Sequence, residues 1–270
     1  MAVPSYKSTS LPWNEVALPW QVRPQTIDSP AYSKGHPYKD PRLPWNLFCG
    51  PVTFTGLNTA SSSADAASYT FSNVTIGDAA SDKYIVGAVE FRDTGTNASL
   101  SGVTVDGIEA TLLGTPLAVT SGGNLSYIGF FRADLRTDSN TTGDIVVTLS
   151  ETVLRCGVQY GFTSGLMPAI YGAEATDTPV SGAAYSGTVS VPADSFVLAA
   201  LLQVSTTATV TWSLATENGD EFVDSAVVLS SAYENFTNQN SVTVTATAST
   251  TMGASGNGMR VAAFIGVDPE

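Results

Sequence analysis

Few side chains of this 270-residue chain could carry out nucleophilic or acid–base chemistry together. His36 is the only histidine, so a Ser–His–Asp or Cys–His arrangement would have to use it. It lies in Ser33–Asp40, inside a proline-rich stretch that cannot hold its ring rigidly against a nucleophile. One histidine and two separated cysteines, Cys49 and Cys156, do not make the four ligands of a zinc site. We therefore predict no catalytic residue, no metal site and no cofactor, and we expect two unpaired thiols.

Acidic residues are more numerous, and two carboxyl groups at the right separation can hydrolyse a glycosidic bond. Most of the 24 acids lie in predicted turns, which Asp stabilises in its own right. Glu90 and Glu109 are the exceptions, because both fall within predicted strands. Because most of the other acids belong to turns, a glycosidase or lyase is the least favoured of the three functions that the sequence suggests.

Two acidic stretches have the composition of a loop that binds a hard cation. Asp138–Asp144 begins with acids and amides at alternate positions, as an EF-hand loop does, but Leu149 stands where the bidentate Glu would be. Glu217–Phe222 fits such a loop somewhat better, although a charged hairpin explains it too. Neither stretch by itself predicts a metal site.

Aromatic residues in the predicted strands could line a sugar-binding face, although aromatic side chains in strands more often belong to the core. The residues concerned are Tyr69, Tyr127, Phe130, Phe131, Tyr160 and Trp212. If some of these side chains are exposed, the body could bind carbohydrate, and a carbohydrate-binding β-sandwich is the second of the three functions.

The first 50 residues differ in composition from the rest of the chain. They contain eight of the fourteen prolines and three of the four tryptophans. Prolines at this frequency exclude a helix or a central strand, so we predict an extended arm over residues 1–50. Each tryptophan there ends a Leu-Pro-Trp motif, a stiff peptide that presents one large side chain to a pocket on another protein. The predicted partner-binding residues are Leu11, Pro12, Trp13, Leu18, Pro19, Trp20, Leu43, Pro44 and Trp45.

The alternative is that the arm folds back and its tryptophans cover apolar strands of the same chain. The charge distribution favours docking on another chain, because residues 1–50 have a net charge of +2 and the remaining 220 residues one of −15. The acidic balance also argues against nucleic acid, whose phosphates need clustered Lys and Arg. No signal-peptide pattern begins the chain, and the longest apolar run, Phe196–Leu202, is too short to cross a bilayer. We expect no membrane association, and synthesis in the cytoplasm.

From Pro51 onward, apolar and polar residues alternate between turn signals, which indicates a β-sandwich or barrel. We predict an all-β body over residues 51–270, an antiparallel, jelly-roll-like sandwich. The segment 164–183 is predicted to be a break between strands. The predicted strands are 52–55, 68–76, 84–92, 100–105, 108–113, 125–134, 144–149, 153–162, 185–191, 196–204, 208–214, 226–233, 241–248 and 259–267.

The order of sequence features recurs after roughly 100–120 residues. Tyr69–Val89 resembles Tyr185–Leu201, for example. Two tandem Ig-like sandwiches, with halves 51–175 and 176–270, are therefore the alternative fold. We favour one continuous sandwich, because no polar linker marks the joint at 164–183.

Two predicted strands, Tyr84–Val89 and Phe196–Leu202, are apolar on both faces. A two-layer sandwich leaves one such face exposed unless something else covers it. We expect the cover to be a partner subunit of a homo-oligomer or the folded-back arm. A short helix at 196–202 is the rival interpretation of the second run.

An anchoring arm followed by an acidic sandwich rich in Ser, Thr and Gly resembles accessory virion proteins of tailed bacteriophages, such as decoration proteins, head fibres and short tail fibres. The resemblance rests on the Leu-Pro-Trp arm and on strand patterns such as YTFSNVTIGDAASDKYIVGAV and GDIVVTLSETVLRCGVQYGF. It implies a non-enzymatic, homo-oligomeric structural protein, made in the host cytoplasm and located in the virion. Its arm would dock on capsid, portal or tail proteins while the sandwich points outward, where a host glycan could bind. The chain lacks the β-helical and coiled-coil repeats of long fibres.

Overall fold

The structure is a computed structural model that describes residues 49–78, 83–95, 97–178, 184–204, 208–223, 227–249 and 256–268. Every regular element in these residues is a β-strand, and every strand pair in them is antiparallel. The prediction of an all-β antiparallel sandwich is therefore confirmed. Residues 1–48, which form nearly all of the predicted arm, lie outside the described residues. The described part contains no helix of the length and apolarity that a membrane span requires.

The first half of the body forms two sheets that face each other. Inner sheet 1 has the strand order β2-β10-β4-β8-β7, and outer sheet 1 has the order β3-β9-β5-β6. Their strands are β2 (Val52–Ser62), β3 (Ala66–Thr75), β4 (Tyr84–Asp93), β5 (Leu100–Val105), β6 (Ile108–Glu109), β7 (Thr111–Ser121), β8 (Asn124–Asp134), β9 (Thr142–Val153) and β10 (Arg155–Gly165).

The second half forms two sheets of its own. Inner sheet 2 has the order β11-β18-β13-β16-β15, with β1 paired to β18 beyond the end of β13, and outer sheet 2 has the order β12-β17-β14. Their strands are β1 (Cys49–Gly50), β11 (Met167–Asp177), β12 (Ala184–Val191), β13 (Ser195–Gln203), β14 (Val210–Trp212), β15 (Thr216–Val223), β16 (Val227–Phe236), β17 (Asn240–Ala248) and β18 (Gly258–Val267).

The two halves have the same topology. If β6 is set aside, the strands from β2 to β10 correspond in order to those from β11 to β18. In each half the first, eighth, third and sixth strands lie side by side, which is the order of a jelly roll, and the fifth strand extends this inner sheet. The recurrence seen in the sequence therefore reflects two jelly-roll-like sandwiches in tandem, each with its own core, and not the one continuous sandwich that we favoured. The strand order is also that of a jelly roll and not the Ig-like order of the alternative. Only Leu166 separates β10 from β11, so no linker could mark the joint.

Two expectations about strands are wrong. The segment 164–183, predicted to be a break, contains β11, and the acidic stretch Glu217–Phe222 lies within β15. Both are edge strands, and a bulge interrupts each of them. A bulge destroys the period-two alternation by which a strand is recognised in a sequence. The run 196–202 forms a strand, part of β13, and not the rival helix.

The two inner sheets pack against each other, so the body has four layers. One core lies between each outer sheet and its own inner sheet. A third core lies between the inner sheets and contains Phe54, Phe130, Phe196 and Phe264. The rings of Phe196 and Phe264 stack at 4.7 Å between centroids, and Phe54 stacks on Phe196 at 4.9 Å. Aromatic stacking of this kind stabilises a core beyond simple burial.

This third core explains the strands that are apolar on both faces. Val86 and Ala88 of β4 lie in it together with Leu198 and Ala200 of β13. Each inner sheet therefore covers the face that the other would expose. The cover expected from a partner subunit or from the arm comes instead from the other half of the same chain.

The inner sheets meet in an arrangement with approximate two-fold symmetry. Strand β2 lies against β15, β10 against β16, β4 against β13, β8 against β18 and β7 against β11. Exchanging each strand for its counterpart in the other half leaves this set of neighbours unchanged. The contact is thus self-complementary, as in a symmetric dimer, although one chain makes both sides of it.

Candidate interaction surfaces

The predicted anchor residues of the arm all lie outside the described residues, so their contacts stay a prediction. They are Leu11, Pro12, Trp13, Leu18, Pro19, Trp20, Leu43, Pro44 and Trp45. His36 lies outside as well. The last two residues of the predicted arm, Cys49 and Gly50, are described, and they form strand β1.

The root of the arm is fixed to both sandwiches. Strand β1 pairs with the end of β18 in inner sheet 2, and after Pro51 the chain enters β2, which pairs with β10 in inner sheet 1. The Leu166 amide donates to the Pro51 carbonyl at 3.3 Å, and the Val52 amide donates to the Asp194 carbonyl at 3.1 Å. A Cβ on Gly165 would overlap the Pro51 carbonyl, and its φ is +98°, so glycine is required there.

One buried arginine joins the two sandwiches where β7 meets β11. The side chain of Arg260 is fully buried, and its guanidinium forms an ion pair with Glu174 of β11. It also donates to the Leu113 carbonyl of β7 at 2.9 Å and lies 4.3 Å from the centre of the Phe130 ring. The amide of Thr115 donates to the same glutamate at 3.2 Å. Burial lowers the pKa of Arg260, and the nearby Glu174 carboxylate partly opposes this shift.

Polar side chains also join the sandwiches at the opposite edge, where β2 meets β15. Ser61 donates to the Glu221 carboxylate at 2.7 Å, and the amide nitrogen of Asn218 donates to the Thr59 hydroxyl at 2.5 Å. Glu221 and Asn218 belong to the acidic stretch that the sequence suggested as a cation loop. In the structure these two residues hold the second sandwich against the first.

Other side chains cap the exposed backbone of edge strands. The Asn235 amide accepts a hydrogen bond from the Phe54 amide and donates one to the Phe54 carbonyl, both at 2.9 Å, as a neighbouring strand would. The Asp220 carboxylate accepts from the Val210 amide of β14 at 2.8 Å. Such caps keep an open edge from pairing with another chain.

Within the described residues, no three His, Cys, Asp or Glu side chains are placed to hold a metal ion. The acids of Asp138–Asp144 instead fix turns. Asp138 accepts from the Asn140 amide at 2.8 Å, and Asp144 accepts from the Asn73 amide at 2.9 Å. The positive φ of Asn73, 54°, is one that asparagine tolerates better than most residues.

The two strand acids, Glu90 and Glu109, do not form an accessible pair. Glu90 is fully buried on the face of β4 that also carries Val86 and Ala88. Neither of its carboxylate oxygens has a hydrogen-bond partner among the described residues, and burial raises its pKa well above the usual range. Glu109 is exposed on β6. A polysaccharide could not reach the Glu90 carboxyl in this arrangement.

The six aromatic residues considered for a sugar-binding face are all buried, with exposed fractions of 7% or less. They are Tyr69, Tyr127, Phe130, Phe131, Tyr160 and Trp212. The indole nitrogen of Trp212 donates to the Ser230 hydroxyl at 2.8 Å, which satisfies its one polar atom inside the core. Phe222, 42% exposed, is the only exposed aromatic side chain in the described part of the chain. These six residues therefore build cores and not a binding face.

The thiol of Cys156 is buried and forms no disulfide, as predicted. Burial raises its pKa, with a smaller contribution from Glu90. A thiol in this state is a poor nucleophile, because the thiolate is the reactive form. The side chain of Cys49 lies outside the described residues.

The sequence prediction missed Arg260 and Glu174. A signal was present, because Arg260 interrupts the otherwise apolar strand Gly258–Val267, and a buried charge needs a partner. The identity of that partner could not be read from the sequence, because Glu174 lies in the segment predicted to be a break.

Comparisons with known proteins add no relative from which a function could be inferred. No protein-family model matches the chain. No curated protein and no solved structure shows significant similarity to it. The function must therefore be argued from the residues themselves.

Proposed function

We propose that this protein is a non-enzymatic structural component of a phage virion, docked on the capsid or tail by its N-terminal arm, with the two-sandwich body pointing outward. The observation that carries the proposal is the root of the arm. Strands β1 and β2 follow each other in the chain but belong to different inner sheets. A pull on the arm is therefore resisted by β18 and β10 together, which suits a segment that anchors the body to something larger.

The contacts that join the two sandwiches of the body support the same role. Its two sandwiches are held together by one large apolar core, a buried ion pair and polar contacts at both edges. This construction favours a rigid block that keeps its shape on a particle surface. The proposal includes a homo-oligomeric state. The apolar faces of β4 and β13 no longer argue for it, because they are covered within the chain. It therefore rests on the resemblance to virion proteins.

The test is a truncation that removes the arm but keeps its root, strand β1. A variant that lacks residues 1–48 keeps Cys49–Gly50, which belong to inner sheet 2. We expect the truncated body to fold but to be missing from purified virions, as judged by mass spectrometry of the particles. Incorporation at the level of the full chain would overturn the proposal.

Point variants distinguish docking by the arm from docking by the body. Trp13→Ala, Trp20→Ala and Trp45→Ala should each reduce the amount of protein in the particle. Leu112→Ser and Phe222→Ser are the matched controls, because these are exposed large apolar side chains of the body. If the controls reduce incorporation and the arm variants do not, the body is the docking surface. Binding of the truncated body to a glycan array would instead support the carbohydrate-binding alternative.

A further inference from the structure

Lys83 is the only lysine in residues 51–270, and it is almost completely buried, with 3% of its surface exposed. It immediately precedes β4, at the end of the first sandwich. Its Nζ donates to the backbone carbonyl of Asn140 at 2.8 Å. Lysine is rarely buried without a specific partner, so this placement calls for an explanation.

The side chain of the same asparagine contacts an acid. Asn140 Nδ2 donates to the carboxylate of Asp106 at 2.6 Å. Asp106 begins the turn between β5 and β6 with a φ of 48°, and its carboxyl group packs on Gly143, where an added Cβ would lie 2.9 Å from its Cγ. The backbone of Asn140 is held by Asp138, which accepts its amide hydrogen. The three functional groups are therefore placed by separate loops and held by short contacts.

The amine thus contacts the backbone carbonyl of the residue whose carboxamide contacts the carboxyl group. An amine, a carboxamide and a carboxyl group are the components of an amide transfer between side chains. The carboxyl group moves protons, and the fixed geometry replaces a collision with an intramolecular step. We propose that Lys83 and Asn140 form an isopeptide bond, with Asp106 as the proton-transferring catalytic residue. The inference goes beyond the proposed function and does not depend on it.

The step balances without any further reactant. The lysine side chain first rotates from the backbone carbonyl of Asn140 to the side chain of the same residue, which Asp106 contacts. Lys83 Nζ then gives a proton to the Asp106 carboxylate and attacks Cγ of Asn140. The bond from Cγ to Nδ2 then breaks, and Asp106 returns the proton to the leaving nitrogen. Ammonia departs into water, because Asn140 is exposed. The attacking nitrogen also loses a second proton, which the departing ammonia takes up, so the products are one new amide and one ammonium ion.

The bond would close a covalent loop between positions 57 residues apart. It would tie the start of β4 to the loop between β8 and β9, at one end of the first sandwich. Cross-linking positions this far apart stabilises a fold chiefly by restricting the unfolded chain.

The test is peptide mapping of the purified full-length protein after several days at neutral pH. If the bond forms, trypsin cannot cut after Lys83, and the digest contains peptide 43–92 joined to peptide 137–155, lighter than their sum by one ammonia. Fragmentation should place the link at Lys83 and Asn140. Separate peptides 43–83 and 137–155 at full mass would overturn the proposal. They would show that only hydrogen bonds join Lys83, Asn140 and Asp106.

Three variants complete the test. Lys83→Arg keeps a cation that can donate to the carbonyl, Asn140→Ala removes the carbonyl carbon that the amine would attack, and Asp106→Asn keeps the shape but moves no proton. All three should give unlinked peptides, and each should migrate more slowly than the wild type in denaturing gels. A linked peptide in Asp106→Asn would overturn the role given to Asp106.

The intact mass alone does not decide, because ring closure at Asn218-Gly219 or Asn257-Gly258 also releases ammonia. A mass loss without the joined peptide therefore counts against the proposal.

Discussion

Glu90 is a carboxyl group at a position where the second sandwich has a leucine. Strand β4 begins with Tyr84 and β13 carries Phe196 at the corresponding place, and six residues later come Glu90 and Leu202. Both residues face the core between the inner sheets, opposite a large aliphatic side chain of the neighbouring strand. Because the second sandwich folds with an apolar residue here, the acid of the first is not required by the fold.

The first prediction concerns the pH dependence of stability. The pKa of Glu90 is raised above its usual 4.5, so the folded protein keeps a proton that the unfolded chain releases. Stability from this group is complete below pH 4.5 and is lost as the pH rises through the folded-state pKa.

Glu90→Gln should therefore be more stable than the wild type at pH 8, and the difference should shrink as the pH approaches 4.5. Urea unfolding at a series of pH values measures both effects. Glu109→Gln, exposed on β6, is the control and should follow the wild-type curve. If Glu90→Gln also follows the wild type at every pH, the carboxyl is not buried in the folded protein.

The second prediction concerns the buried ion pair. Arg260→Met leaves Glu174 and the Leu113 carbonyl without their partner, so we expect a loss of about 3–5 kcal/mol in the free energy of unfolding. Arg136→Met is the matched control, because Arg136 pairs with Asp134 in an exposed bridge at 2.7 Å. Exposed pairs contribute only about 0–1 kcal/mol.

Chemical denaturation of both variants compares the two pairs. Adding Glu174→Gln to Arg260→Met should recover part of the loss, because the uncompensated charge disappears. Equal effects at the buried and exposed pairs would contradict the assigned role of Arg260.

At the scale of elements, the contact between the inner sheets depends on small residues that let them approach. Gly157 of β10 faces Leu229 of β16, and a Cβ added to the glycine would overlap Leu229 Cδ1. Gly102 of β5 has no atom near its missing Cβ. The two glycines therefore differ in packing although both lie within strands.

The third prediction follows from this difference. Gly157→Ala should destabilise the protein by about 1–3 kcal/mol, because it overpacks a closed core. Gly102→Ala should be close to neutral, since the restricted backbone of alanine offsets any small cost. Thermal unfolding measures both. In the double variant Gly157→Ala/Leu229→Ala the two losses should be less than additive, because Leu229→Ala removes the atom that the Cβ added at position 157 would overlap.

The elements also differ in how well they could be predicted. In strand β12 exposed and buried residues alternate strictly, in β17 every second residue from Val244 to Ala248 is buried, and both strands were predicted within one or two residues. Strands β11 and β15 were missed, because an edge strand has less need of an apolar face and a bulge shifts its register. The Leu-Pro-Trp arm stays a prediction.

At the scale of the whole molecule, the two sandwiches should unfold together. They share the core between the inner sheets, and neither could expose its inner face to water without losing that burial. Trp212, the only tryptophan after residue 45, reports on the second sandwich, and the buried thiol of Cys156 reports on the first.

The fourth prediction uses these two probes. In a variant with Trp13, Trp20 and Trp45 changed to Phe and Cys49 changed to Ser, tryptophan fluorescence and thiol reactivity should have the same midpoint in urea. Coincident transitions are the standard sign of one cooperative unit. Two midpoints would mean that the sandwiches are stable separately and that the core between them contributes little.

The sequence by itself determined the fold class and the recurrence of its two halves, because side chains that alternate at period two can bury one face only as strands. The tertiary structure alone decided what covers β4 and β13, what pairs with Arg260 and why Glu90 is buried. These features depend on contacts between residues far apart in the chain, such as Arg260 and Leu113, which are 147 positions apart. A local pattern records that a residue is apolar or charged, but it does not record which distant surface that residue meets.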